Sequence, residues 1–205
     1  SYLENVTNKK HFIVLHGLTG VGKTEILKNF DKNKIDNIDL ENIAKNSGST
    51  FGFIGFDENP PSQKKFESEI FKKFFYSKTD YLFIESESKR VIPNNLYEHL
   101  VNSKYHILIN DSLENRVNRL YNDYIKDKNN NIELKECIEK FRKRLGNKKV
   151  DEYIMLLNEN NHKDLVKKYL LEYYDILYMH SVNKYTYNDV INYENKDEAF
   201  NNWHI

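Results

Sequence analysis

Residues Gly17-Leu18-Thr19-Gly20-Val21-Gly22-Lys23-Thr24 follow the spacing GxxxxGK(S/T), the pattern of a loop that cradles phosphate. Glycine lets consecutive backbone amides converge on an anion, a lysine at the end of the run reaches the terminal phosphate oxygens, and the hydroxyl that follows can join Mg²⁺. The residues expected to hold the phosphate ligand are therefore Gly17, Gly20, Val21, Gly22, Lys23 and Thr24, with Lys23 also counted as catalytic. Such a loop calls for a carboxylate at the end of a neighbouring strand. Glu85 directly follows the apolar run Tyr81-Leu82-Phe83-Ile84 and is expected to be both catalytic and a metal ligand. Asp39 is a second expected metal ligand beside Thr24, although a helix N-cap explains that aspartate equally well. Glu41 and Glu87 lie close to these two in sequence.

Arginine is scarce: among 31 basic residues it occurs only at 90, 116, 119, 142 and 144. Its planar fork suits bidentate phosphate contacts, whereas lysine acts as a flexible point charge. Arg116 and Arg119 stand three apart, on one face of a helix. The run from Phe141 to Lys149 is the densest basic stretch, and Arg142, Lys143 and Arg144 within it are expected either to meet a polyanion or to form a plain solvated face. Cys137 falls among apolar residues at helical spacing and reads as core. The seven histidines show no metal-ligand spacing, and no chemistry is assigned to them.

A loop of this kind works only where a buried strand runs into a helix. Phe12-Ile13-Val14-Leu15-His16 predicts that strand, and a helix is expected over 22–30. Further strands are expected at Asn37-Ile38, Tyr81–Ile84, Tyr105–Ile109 and Asp189–Tyr193. A helix is expected over 62–76, with Ser62 as its cap and Phe66, Ile70, Phe71, Phe74 and Phe75 at helical spacing. A glycine-rich loop over 47–61 carries Phe51, Phe53 and Phe56, another helix starts at Asp111 or Ser112, residues 132–174 are mostly helical, and a short helix closes the chain. Alternating strands and helices imply an α/β, P-loop NTPase-like three-layer domain with a mostly parallel sheet. The 205 residues are read as one such domain, 1–205, with a helical insertion or extension at about 113–180.

Composition narrows the field. Equal numbers of acidic and basic residues exclude a bulk polycation, so any nucleic-acid surface must be local. An aromatic content of 14% argues for a folded chain. One cysteine excludes an internal disulfide framework and a multi-thiolate metal site. No apolar run approaches the length of a membrane span and no signal peptide is evident, so a cytoplasmic protein with no membrane partner is expected.

The blocks Gly17–Thr24, Asp39-Leu40-Glu41, Gly48-Ser49-Thr50-Phe51-Gly52, Pro61–Glu67, Glu85–Arg90 with Pro93, and Lys143–Gly146 occur in an order that resembles the phosphate-loop half of the tRNA 2-selenouridine synthase family. Tyr173-Tyr174-Asp175 with Tyr178 is a fainter match. The resemblance implies a transferase acting on the wobble 2-thiouridine of tRNA. That family exchanges sulfur for selenium from selenophosphate and attaches a geranyl group from geranyl diphosphate. It implies tRNA as partner, Mg²⁺ as cofactor, and geranyl diphosphate, a nucleotide or selenophosphate as phosphate ligand. Ser49, Phe51, Gln63, Arg90, Arg116, Arg119, Arg142, Lys143 and Arg144 become the expected substrate or tRNA contacts. Members of the family usually carry an N-terminal rhodanese-like domain whose cysteine handles selenium. With about ten residues ahead of the first strand and Cys137 in a helical region, that domain is expected on a separate chain or outside this sequence. Two other readings stay open: a small-molecule or nucleoside kinase using ATP, with Arg116 and Arg119 on the transferred phosphoryl group, and a non-catalytic tRNA-docking subunit.

Overall fold

The strand ahead of the loop is apolar on both sides because both of its faces are covered. In a computed structural model, which describes residues 10–45, 61–87, 92–126 and 131–193, β1 spans His11–His16. It buries Phe12 and Val14 on one face of the sheet and Leu15 on the other. Four more strands flank it: β2 (Asn37–Ile38), β3 (Tyr81–Glu85), β4 (Tyr105–Asn110) and β5 (Asp189–Asn192). All pair in parallel, in the order β2-β3-β1-β4-β5. The register sets Leu15 beside Glu85 and Ile38 beside Ile84. The carboxyl ends of β1, β2 and β3 therefore lie together, at the edge where open α/β sheets bind their ligands.

Helices cover both faces. α1 (Lys23–Lys32) packs Ile26, Leu27 and Phe30 against Leu15, Phe83 and Ile109. After α2 (Leu40–Ala44) comes α3 (Gln63–Tyr76), which begins where the Ser62 hydroxyl accepts from the Lys65 amide. Its Phe66, Ile70 and Phe74 recur every fourth residue and meet Phe12, Val14, Leu82 and Ile84 on the opposite face. Truncating Phe74 to alanine there would cost roughly 3–5 kcal/mol. The short helix α4 (Asn94–Val101), which the sequence reading passed over, buries Leu96 and Leu100 in the same core.

A third core is built by helices alone. α5 (Leu113–Tyr124) starts at Ser112, whose hydroxyl accepts from the Asn115 amide. It is followed by α6 (Asn131–Glu139), α7 (Arg142–Leu145), α8 (Asn147–Asn158) and α9 (His162–Tyr169). A π-helical turn, Leu170–Tyr174, then leads into α10 (Asp175–Val182). Leu134, Ile138, Phe141, Val150, Tyr153, Leu157, Leu165 and Leu170 are the buried centre of this unit, and Cys137 packs at its margin. Burial raises the Cys137 thiol above its ordinary pKa, which disfavours a reactive thiolate. Most of the expected loop over 47–61 and the expected C-terminal helix lie outside the described residues.

Candidate functional site

The phosphate loop joins β1 to α1, as its sequence requires. Gly22 caps α1 at φ +98°, and no side chain hydrogen-bonds as its cap. A Cβ at Gly22 would lie 2.7 Å from the Tyr193 ring, so only glycine fits between that ring and the loop. Gly17 is similarly confined, since a Cβ there would meet the Ile109 carbonyl at 2.5 Å. The Lys23 ammonium donates to the Gly17 carbonyl at 2.9 Å, lying back across the loop it terminates. Val21 is buried in the core shared with α1, and its amide donates to the Leu18 carbonyl at 3.4 Å within the loop.

The carboxylates sort themselves differently from their order in the sequence reading. Glu41, at the start of α2, accepts from the Thr24 hydroxyl at 2.8 Å. The Glu41 amide donates to Glu85 Oε1 at 2.9 Å, while Glu85 Oε2 is buried with no hydrogen-bond partner. Asp39 caps α2 by accepting from the Asn42 amide at 2.8 Å, the alternative left open for it. Burial, reinforced by the charges of Glu41, Asp39 and Glu87, drives the Glu85 carboxyl well above the ordinary carboxylate range. Burial also raises Glu41, to about 7, against the opposing pull of Lys23 and Thr24. Burial raises Asp39 as well.

This acidic front fits a Mg²⁺ ion. Glu85 keeps one buried carboxylate oxygen without a partner, and Glu41, whose amide it accepts from, takes the Thr24 hydroxyl: a donor set short of positive charge. Among the described residues no group of three or more His, Cys, Asp or Glu forms a metal cage. Mg²⁺ keeps several waters and shares phosphate oxygens with one or two protein ligands. Tyr178 of α10 closes the same edge. Its hydroxyl is raised first by burial and then by the charge of Glu87, with Glu41 among the lesser causes.

Behind the loop the expected phosphate contacts Arg116 and Arg119 turn inward. Arg116 is 4% exposed; its Nε donates to the Thr19 carbonyl at 2.8 Å, and its two terminal nitrogens grip Asp175 at 3.1 and 2.5 Å. Arg119 donates to the Gly20 carbonyl and, at 2.7 Å, to Asp111, while its guanidinium lies 5.3 Å from the centre of the Tyr193 ring. The remaining expected contacts are dispersed. Arg142 pairs with Glu139 and Asp151, Arg144 donates to the Tyr173 hydroxyl, and Gln63 donates to Glu67. Lys143 is exposed on α7. Ser49, Phe51 and Arg90 lie outside the described residues.

Several functional neighbours escaped the sequence reading. Asp111 was read only as a possible helix start and Asp175 only as part of a faint family block; their pairing with Arg119 and Arg116 joins separate elements and leaves no local signal. His16 and His106, left without chemistry, are buried and joined ring to ring at 2.8 Å; His106 also reaches the Ser103 carbonyl at 2.9 Å. Burial, then the neighbouring His106 and Lys23, push His16 down to about 3, so the ring beside the phosphate loop stays neutral.

A glycine-rich loop between strand and helix in a five-stranded parallel sheet, with paired carboxylates across from it, is a geometry that many families share. A sequence profile described as the tRNA 2-selenouridine synthase AAA domain matches residues 10–204. The chain belongs to this family. Similar curated proteins carry the same family name. The tRNA 2-selenouridine synthase of Shewanella halifaxensis is 26% identical over 98% of this chain and 62% of its own length. That of Pseudomonas fluorescens is 27% identical over 86% of the chain and 55% of its own length. That of Bordetella petrii is 32% identical over a shorter stretch, 57% of the chain and 31% of its own length. The chain thus spans about three fifths of the Shewanella halifaxensis relative. Among the described residues no helix is long and apolar enough to cross a membrane.

Proposed function

We propose that this chain is the phosphate-handling unit of a cytoplasmic tRNA-modifying transferase, acting on the sulfur of a wobble 2-thiouridine. The observation that carries the reading is the Lys23–Thr24–Glu41–Glu85 arrangement around an uncapped helix N-terminus, in a chain that belongs to the selenouridine synthase family. The loop amides and the start of α1 supply partial positive charge for a diphosphate. Lys23 swings from the Gly17 carbonyl to the terminal oxygens, adding a full charge where the leaving group gains its own. Mg²⁺, held by Thr24 with Glu41 or Glu85, would neutralise further phosphate charge when bound. The proposed donor is geranyl diphosphate: the tRNA sulfur attacks the prenyl carbon, a carbon–sulfur bond forms, and diphosphate leaves with the electrons of the broken carbon–oxygen bond.

Selenium transfer from selenophosphate is assigned to this site working with a rhodanese-like domain, whether on the same polypeptide or on a partner. Lys143 and its basic neighbours on α7 and α8 position the tRNA through its phosphates, without reading bases. The test incubates the chain with Mg²⁺, thiolated tRNA and geranyl diphosphate and analyses the digested nucleosides by mass spectrometry. A geranylated 2-thiouridine that vanishes in Lys23→Ala is the expected result. Unaltered tRNA alongside ATP consumption with a nucleoside acceptor would overturn the reading in favour of a kinase.

A further inference from the structure

We infer that Arg116 and Arg119 are positioning residues: they aim the backbone amides of the phosphate loop without touching its ligand. The inference rests on the anion-binding reading of the loop and adds how that loop is held in shape. The two guanidinium groups take adjacent carbonyls, Arg116 that of Thr19 and Arg119 that of Gly20. In a planar trans peptide the carbonyl and the following N–H point in opposite directions. Drawing the Thr19 carbonyl back towards α5 therefore turns the Gly20 amide forward, away from that helix; drawing back the Gly20 carbonyl sets the Val21 amide, which donates to the Leu18 carbonyl at 3.4 Å and so closes the turn. The close approach of α5 reinforces the constraint, since a Cβ on Gly20 would sit 3.2 Å from both the Arg116 carbonyl and the Leu120 side chain.

Each clamp is anchored from a different element. Asp175, the first residue of α10, holds Arg116 in a two-pronged pair, and the pair is largely buried, with side-chain exposures of 5% and 14%. Asp111, whose side chain is fully buried, holds Arg119 from the end of β4. Glu25 on α1 stands 3.7 Å from Arg119, and the Tyr193 ring covers the same guanidinium. With a carboxylate already on each guanidinium, the two arginines offer the ligand little net charge, so orientation of amides is the contribution left to them. The π-helical turn leads directly into Asp175 at the start of α10, so the carboxylate reaches Arg116 across the helical unit, and Arg116 in turn reaches the loop.

The rival role, direct arginine contact with the anion, makes an opposite prediction. If Arg116 were a ligand restrained by Asp175, then Asp175→Asn would free it and tighten binding. If Arg116 is a positioning residue, the same change loosens the clamp and weakens binding. Titration of the full chain with inorganic pyrophosphate and Mg²⁺ by calorimetry separates the two. Arg116→Lys and Asp175→Asn are each expected to weaken binding about tenfold or more, the usual effect of losing a group that orients a ligating one. The Gly20 amide resonance, which should move when pyrophosphate is added to the wild type, should respond far less in these variants.

Val150→Ala, a hole in the helical core remote from the loop, controls for general loosening. It should lower the melting temperature yet hold affinity within about twofold of wild type. Equal losses of affinity in Arg116→Lys and Val150→Ala, or tighter binding by Asp175→Asn, would overturn the inference. Wild-type chain that ignores pyrophosphate would instead bring down the anion reading on which it stands.

Discussion

The two sides of the phosphate loop are built from the same kinds of group and left in opposite states. Behind it, each guanidinium meets a carboxylate and a backbone carbonyl: Arg116 with Asp175 and Thr19, Arg119 with Asp111 and Gly20. In front of it, Glu41, Glu85 and Asp39 crowd together with Lys23 as the cation that lowers Glu41, and one oxygen of Glu85 has no partner. Buried charge is tolerable when paired and costly when not. The rear is therefore complete as folded, whereas the front carries unmatched acidity that a bound cation would relieve. A site ready for a ligand is recognised by this shortfall more than by the number of its polar groups.

The largest effect should come from breaking the rear. Arg116→Ala leaves Asp175 buried without its partner and frees the Thr19 carbonyl, so urea unfolding should show a loss of roughly 3–5 kcal/mol. A loss below about 1 kcal/mol would place this pair with ordinary surface ion pairs and erase the contrast. Lys23→Ala belongs to the front and should do the reverse. Its ammonium donates to a carbonyl within the loop and anchors no other element, so stability should change little. Affinity for pyrophosphate should fall on the order of 100-fold, as expected when a charged donor is removed from a charged acceptor.

Glu85→Gln sharpens the comparison further. Burial holds Glu85 towards its neutral form, and glutamine copies the shape of that form without a charge to desolvate. The variant should melt at or above the wild-type temperature in EDTA, while the rise in melting temperature caused by Mg²⁺ should shrink or disappear. Lower melting temperature in EDTA together with an intact Mg²⁺ response would mean that Glu85 is an ordinary structural acid.

How much of this was legible beforehand follows the range of the interactions. The five strands, the caps at Ser62 and Ser112 and the loop itself are written in short windows, because periodicity, capping hydroxyls and glycine spacing act over a few residues. Helix α4 was missed because it shows only Leu96 and Leu100 at helical spacing and opens on Pro93-Asn94-Asn95, which reads as a turn. The ranking of Glu85 above Glu41 followed its position at a strand end. Which carboxylate meets Thr24 depends instead on how α2 returns over β3, a tertiary fact. Arg116 and Arg119 were rightly placed on one helix face, but their scarcity and spacing could not say whether that face looked outward or in. The partners that decide it, Asp175 and the Thr19 carbonyl, lie 59 and 97 residues away.

The finest test of the contrast is the pH dependence of Glu41. Its carboxyl titrates near 4.5 in the unfolded chain and at about 7 when folded, raised chiefly by burial. A folded value above the unfolded one means that the native state holds its proton longer. The contribution of Glu41 to stability is then complete below pH 4.5 and is lost as pH rises through about 7. Glu41→Gln has no such proton to lose, so its stability relative to wild type should improve steadily between pH 5 and pH 8 when measured in EDTA. The comparison must be made as this difference, because His16, with its value depressed to about 3, pulls the other way. Its contribution is present above pH 6.5 and fades as pH falls below that, in both proteins alike. Saturating Mg²⁺ should flatten the Glu41 difference, since a cation at the front stabilises the ionised carboxylates that burial disfavours. A pH-independent difference between the two proteins would show that Glu41 is as well compensated as the arginines behind the loop.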